Sequence, residues 1–563
     1  MICQDKAESI SVQDGTKTPF CRRAKLVLLF ILLVGGILRL VKLGEISPPG
    51  LNQDEAAAAW NAYCLLKTGK DQVGDSWPIF HTRALGSNNS TLYYYLLIPF
   101  QLVGGMNVFT TRLPAAVGGI LTVFLIYFVG RRLFGEPIGL AAAGLLAIDP
   151  WQIQQSRWGH DASVCALYGI IPLAAMLWAN LPAGDDEDAV PRPVYAVIAG
   201  ALTGIVCYGY QAVRLFIPAF LFLTLLVTLP EWRRILKTRK GILATAAFIA
   251  AFGATFGPLA WQHIFHPYSL ARPDHYQKMV FAEPAAAALR DIATHYVKHF
   301  GPDFLFIHGD PYVVQAPPGM GQLHWYMLPL MISGLIFLIY RLRHSSAARI
   351  LLVYVLVYPV GDCFNQVPTE HALRSLPGLC ALVLLAAVGA VAGAKWLWKQ
   401  NRNVAISLAA MFVIAGAALN IRYFYRFYGE FNRGMGIYHS FHTDLVEACK
   451  WLRPRFDQYD AIFCTTLGMN MPYLVTLVVL DYEPEQWFSG PRDIFNIEGQ
   501  DDFYSRYGKM HFIYGQPLEP ALNALGPNPR VLVIVRPGEL ELKNPVHQIY
   551  RPDGQAVLWL CEL

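Results

Sequence analysis

Charge is scarce in this 563-residue chain. Asp, Glu, Lys and Arg together make up 15% of it, against about 25% in a soluble globular domain, which excludes an ordinary soluble protein. The ten cysteines, at positions 3, 21, 64, 165, 207, 363, 380, 449, 464 and 561, form no Cys-x-x-Cys pair, so neither a zinc ribbon nor a thioredoxin-like motif is indicated. No Gly-rich phosphate loop is present, and nucleotide binding is therefore not indicated. No small-residue cleavage site follows the first apolar run. The basic stretch Cys21-Arg22-Arg23-Ala24-Lys25 thus reads as the flank of an uncleaved first span rather than a signal peptide.

What is present is apolar: 54% of the residues are hydrophobic, and many runs approach the ~20 residues that cross a bilayer as a helix. The pattern predicts an all-α polytopic membrane protein with eleven spans near 26–43, 112–130, 137–153, 163–180, 194–208, 212–229, 241–262, 323–340, 348–361, 376–394 and 403–421. Basic residues favour the cytoplasmic side. Arg131-Arg132, Arg192, the segment 231–240 with five Lys or Arg in ten positions, Arg341 with Arg343, and Lys395 to Arg402 all fall on one side, together with the tail 1–25. The loops 44–111 and 263–322 fall on the other; the second holds four Lys or Arg in sixty residues. The run 91–103 is short and interrupted by Pro99, which suits an interfacial or re-entrant helix better than a span.

This threading gathers polar chemistry at the external ends of the spans: Asp54 and Glu55, Arg112, Arg157, His160, Asp161, Tyr210, Arg214, Glu370, His371 and Arg374, with Arg39 and Lys42 nearby. Ionisable groups at membrane depth, against the positive-inside trend, are functional candidates. Arginines beside an acidic pair suit a phosphate-bearing lipid, because guanidinium binds phosphate bidentately and stays charged. A carboxylate can then take a proton from an incoming hydroxyl or amine. Each feature also has a plainer reading. Asn52 with Glu55 fits a capping box, Arg112 and Arg374 fit cations snorkelling to headgroups, and Asp161 fits a cap. His295 and His299, four apart, fit the surface of an amphipathic helix rather than a metal site, and Asp303 and Asp310 fit turns.

The order of motifs is more specific than any one of them. Asp54-Glu55 is followed by Leu92-Tyr93-Tyr94-Tyr95-Leu96, Arg112-Leu113-Pro114-Ala115-Ala116, Gly130-Arg131-Arg132-Leu133-Phe134-Gly135, Asp149-Pro150-Trp151, the run Ser156 to Asp161, and His371 to Pro377. This order resembles the GT-C superfamily of polyprenyl-phosphate-sugar-dependent glycosyltransferases, and is most similar to the bacterial protein O-mannosyltransferase and aminoarabinose-transferase branch (GT39/GT83-like). The resemblance covers about residues 26–230 and returns at 371–377. It implies a GT-C-like membrane domain over 26–425 and a polyprenyl-phosphate sugar donor. It also implies a protein, lipid or glycan acceptor, and inverting transfer on the non-cytoplasmic face, in bacteria the periplasmic side of the plasma membrane. Asp54 matches the first-loop acid, a base or acceptor-positioning group; Asp161 matches the second external acid; arginines at the border hold the leaving phosphate. In some relatives these acids, here Asp54 and Asp161, hold a divalent metal, and in others none is needed. One departure stands out. Aminoarabinose transferases carry Lys-Pro ahead of the Tyr-rich helix, where this chain has Ser87-Asn88-Asn89-Ser90-Thr91, which weighs against lipid A modification.

From 426 to 563 helix-like runs such as 443–452 alternate with short apolar runs at 461–464, 531–535 and 556–560, predicting a small extracytoplasmic α/β domain. A transporter or flippase of lipid-linked sugars is the rival class. Such proteins show internal repeats and mid-membrane charges, neither of which is evident here.

Overall fold

The computed structural model describes residues 22–182, 185–186, 189–266, 284–312, 314–365, 369–494, 503–514, 518–542 and 544–563. Most of the tail 1–25 and the stretch 267–283 of the expected second external loop lie outside the described residues. Among the described residues, five helical stretches are long and apolar enough to cross a membrane: Val108–Phe134, Asp161–Trp178, Arg239–Phe265, Ala372–Gln400 and Arg402–Arg433. The pair Gln211–Val227 and Leu229–Ile235, bent by 78°, makes a sixth if it counts as one span. Four of the eleven expected spans are shorter apolar helices: Glu136–Ala147, Pro193–Tyr208, Met327–Arg341 and Ser346–Gly361. The sequence shows why at 137–153. The helix stops at Ala147, and Asp149 caps a new six-residue helix, Pro150–Gln155, by accepting from Gln152 N at 2.9 Å. The first helix, α1 (Arg22–Leu40), carries four basic residues.

Helix α2 (Gln53–Thr68) is the joint of the molecule. Its start is fixed locally: Asn52 and Glu55 form a capping box. Its end is fixed by Gly69, whose φ of 69° suits a residue without Cβ and whose N–H closes on Leu65 O at 2.9 Å. Ala58, Ala62 and Leu65, spaced four and three apart, face the membrane bundle. Ala56, Ala59, Trp60 and Tyr63 face the C-terminal domain. There Trp60 meets Trp487 edge to face at 5.6 Å, and Trp487 Nε1 donates to Gln72 O at 2.9 Å. Alanine on both faces lets the two layers close on one thin helix.

A hairpin, β1 (Thr82–Ala84) with β2 (Ser87–Asn89), leads into α3 (Leu92–Gly104). At 1.5 Å per residue these 13 residues reach about 20 Å, short of the ~30 Å hydrocarbon core. Helix α4 (Val108–Phe134) follows.

The C-terminal sheet has seven strands in the order β4 (Arg492–Ile494), β5 (Tyr504–Tyr507), β6 (Met510–Ile513), β3 (Ala461–Thr465), β7 (Val531–Val535), β9 (Ala556–Glu562) and β8 (His547–Tyr550). The central β6-β3-β7 trio is parallel and the outer pairs antiparallel. β3 and β7 are buried on both faces, as continuous apolar runs require. Ile462, Cys464, Leu532 and Ile534 join the cluster shared with α2, and Ala461, Phe463, Val531 and Val533 line the opposite face.

Candidate active site

The arginines gathered by the threading divide into two sets. Arg39, Arg112 and Arg157 are fully buried. Arg112 donates from Nε and Nη2 to the two oxygens of Glu55 at 2.8 and 2.9 Å, and to the carbonyls of Leu43, Pro48 and Gly50. Arg157 donates to the carbonyls of Leu38, Arg39, Lys42, Ile46 and Ser47 and lies over the Tyr428 ring at 5.2 Å. Arg39 binds Gln152 and the carbonyls of Gly35, Leu146 and Ala147. A guanidinium has five N–H groups, and in each of the three all five are engaged. Expected as phosphate ligands, Arg112 and Arg157 instead pin the 38–50 turn.

Glu55 is held in the same way. Oε1 accepts from Arg112 and from Gly159 N at 2.7 Å; Oε2 accepts from Arg112 and from Asn52 N at 3.1 Å. The roughly four lone-pair sites of a carboxylate are filled, so the expected catalytic candidate has no free lone pair for a substrate proton. Glycine at 159 makes this possible, because a Cβ there would stand 2.6 Å from Thr111 O. The Glu55–Gly159 bond ties the first turn of α2 to the 157–161 turn, so half-buried Asp54 and Asp161 flank one junction.

The second set lies around that junction. Asp161 accepts from Ala162 N at 2.9 Å and stands 3.5 Å from His160 Nδ1. His160 packs on Trp158 at 4.3 Å, and its Nε2 is buried without a hydrogen-bond partner. Arg214 donates to Cys207 O and Ser90 Oγ. Arg374 bonds Tyr210, and its Nη1 lies 3.5 Å from Asp362 Oδ1 with no full hydrogen bond. His371 N donates to Asp362 Oδ2 at 2.7 Å, and its ring lies 5.1 Å from Tyr312. Half-buried Glu370 precedes it. Unlike Arg112 and Arg157, Arg214 and Arg374 keep N–H groups for a ligand.

Several residues here were not expected from sequence. Asp310, expected as a turn residue, is buried and accepts from Ala372 N at 2.6 Å and Tyr312 N at 2.9 Å, fixing the start of the 372–375 turn. Burial pushes its carboxyl up to about 7 and the His371 imidazole down to about 3. His295 and His299, expected on a helix surface, are buried against Asp362. Asp362 itself carried no signal in sequence. Among the described residues, His295, His299 and Asp362 form the only grouping of three or more metal-type ligands. Asp54 and Asp161 belong to no such grouping.

Residues 89–257 match the family model described as dolichyl-phosphate-mannose-protein mannosyltransferase. Among solved structures, the chain is similar to ArnT from Cupriavidus metallidurans bound to undecaprenyl phosphate, at 14% identity and a TM-score of 0.50 over 96% of this chain and 98% of that one. It is also similar to the Archaeoglobus fulgidus oligosaccharyltransferase tethered with an acceptor peptide, at 12% identity and a TM-score of 0.49 over 81% of this chain and 63% of that one. A search of curated proteins found no match. The chain thus matches that family model over 89–257 and shares the ArnT fold along nearly its whole length.

Proposed function

We propose that the protein is an integral-membrane glycosyltransferase that moves a sugar from a polyprenyl phosphate to an acceptor on the non-cytoplasmic face, with inversion. The observation that carries this reading is the division among the arginines. Two cations with open N–H groups, Arg214 and Arg374, stand with Asp161 beside the junction that also presents Asp54. An anionic lipid phosphate fits the cations, and an acceptor hydroxyl or amine fits the acids. In the step that follows, the acceptor lone pair forms the bond to the anomeric carbon. The carbon–oxygen bond to phosphate breaks with its electron pair on the phosphate oxygen, and the acceptor proton passes to Asp54. Arg214 and Arg374 stabilise the charge gathering on the departing phosphate, and Tyr210 and Asp362 orient Arg374. The Cys207 carbonyl and the Ser90 hydroxyl hold Arg214 in place.

The test is purified protein with a radiolabelled polyprenyl-phosphate sugar, following both release of the polyprenyl phosphate and labelling of an acceptor. Asp54→Asn is expected to lower turnover by about 100-fold to 10,000-fold, the range for loss of a general base. Full turnover in that variant, or lipid translocation without bond cleavage, would remove the assignment.

A further inference from the structure

We infer that His295, His299 and Asp362 form a zinc site that staples the external-loop helix Ala285–Lys298, with the turn after it, to the 358–375 segment. The argument starts from one hydrogen bond. His299 Nδ1 lies 2.8 Å from the carbonyl oxygen of His295. A carbonyl only accepts, so Nδ1 carries the hydrogen, and in the neutral ring Nε2 is a lone pair. That lone pair points at Asp362 Oδ2 from 3.0 Å. Two acceptors at this distance repel unless something positive lies between them. His295 repeats the problem: its Nε2 is 3.5 Å from the same oxygen and is buried without a hydrogen-bond partner. A proton on His299 would answer the first contact and leave His295 orphaned in a site where the three residues are at most 4% exposed. One cation between the three atoms answers both.

The dimensions suit zinc. All three ligand atoms lie within 4.8 Å of one another. Tetrahedral ligands at about 2.0–2.1 Å from the ion stand about 3.3–3.4 Å apart, between the two N···O distances above. Two imidazoles and a carboxylate favour zinc over magnesium or calcium, which take oxygen ligands. The backbone bond at His299 Nδ1 is the outer contact that orients a metal-bound histidine. The i, i+4 spacing puts both rings on one face of a continuous helical turn. Asp362 then bridges two cations, with Oδ2 toward the metal and Oδ1 toward Arg374. The site would therefore hold in place the arginine assigned to the phosphate. The zinc claim itself does not depend on the transferase reading.

The test is zinc content of the full chain, purified without a histidine tag and measured by plasma mass spectrometry. About one zinc per chain is expected. It should be retained in Asp54→Asn and lost in His299→Ala. Chelation of the wild type should lower its melting temperature, and zinc chloride alone should restore it. This second measurement decides the matter if His299→Ala fails to fold. A wild-type protein that binds no zinc by calorimetry and melts identically with and without chelator would overturn the site and leave a protonated His299 in its place.

Discussion

The Glu55–Arg112 pair offers the sharpest perturbation, because two readings of the same residue predict opposite outcomes. If Glu55 were a catalytic acid, Glu55→Ala would abolish turnover and leave the fold intact. The geometry says otherwise. The change removes the acceptor for four donors and leaves the Arg112 guanidinium charged at 0% exposure. An exposed ion pair is worth about 0–1 kcal/mol. Breaking a buried one costs about 3–5 kcal/mol, because the surviving charge has no water and no counter-ion. Against a total of about 5–15 kcal/mol, that is a fifth or more of the stability. The assay is thermal melting of purified protein in detergent, in a cycle of Glu55→Ala, Arg112→Met and the double variant. Either single change is expected to lower the melting temperature sharply. The double should fall well short of the sum, since the second change removes a charge already stranded. It will not recover fully, because Gly159 N and the carbonyls of Leu43, Pro48 and Gly50 still lose their partners. Additive shifts, or a Glu55→Ala protein that melts like the wild type, would refute the reasoning.

Two further outcomes follow from the same geometry. Arg374→Ala should raise the donor KM more than the acceptor KM, because only the donor carries phosphate; equal effects on both would sink the phosphate assignment. Gly169→Ala should lower the melting temperature, since a Cβ there would overlap the Pro377 carbonyl, which is backbone and cannot swing aside. Overpacking of this kind costs about 1–3 kcal/mol, and unchanged melting would show that the 165–178 helix and the 376–378 turn are not packed that closely.

Features encoded in a few adjacent residues were legible in the sequence. The capping box at Asn52 and Glu55, the helix Thr443–Leu452 and the apolar strands β3, β7 and β9 all declare themselves locally. By contrast, β5 reads Tyr-Ser-Arg-Tyr and takes its place only through its ladder with β4 and β6. The roles of the charges were not legible, because burial depends on partners far along the chain. Arg112 is 57 residues from Glu55 and Arg157 more than a hundred from the carbonyls it holds, so a buried framework arginine and a ligand-binding one look alike at a membrane border.

The histidines were misread for a more general reason. In helix Ala285–Lys298, Leu289 and Val297 are 66% and 65% exposed while Ala288 and His295 are buried. The rule that the apolar stripe faces inward belongs to water. In this external-loop helix the stripe is inverted: large apolar side chains stand outward while polar groups that need partners are buried. Read with that inversion, His295 and His299 lie on the inward face and require a counterpart. Asp362, 63 residues beyond His299, is the residue that no local pattern can supply.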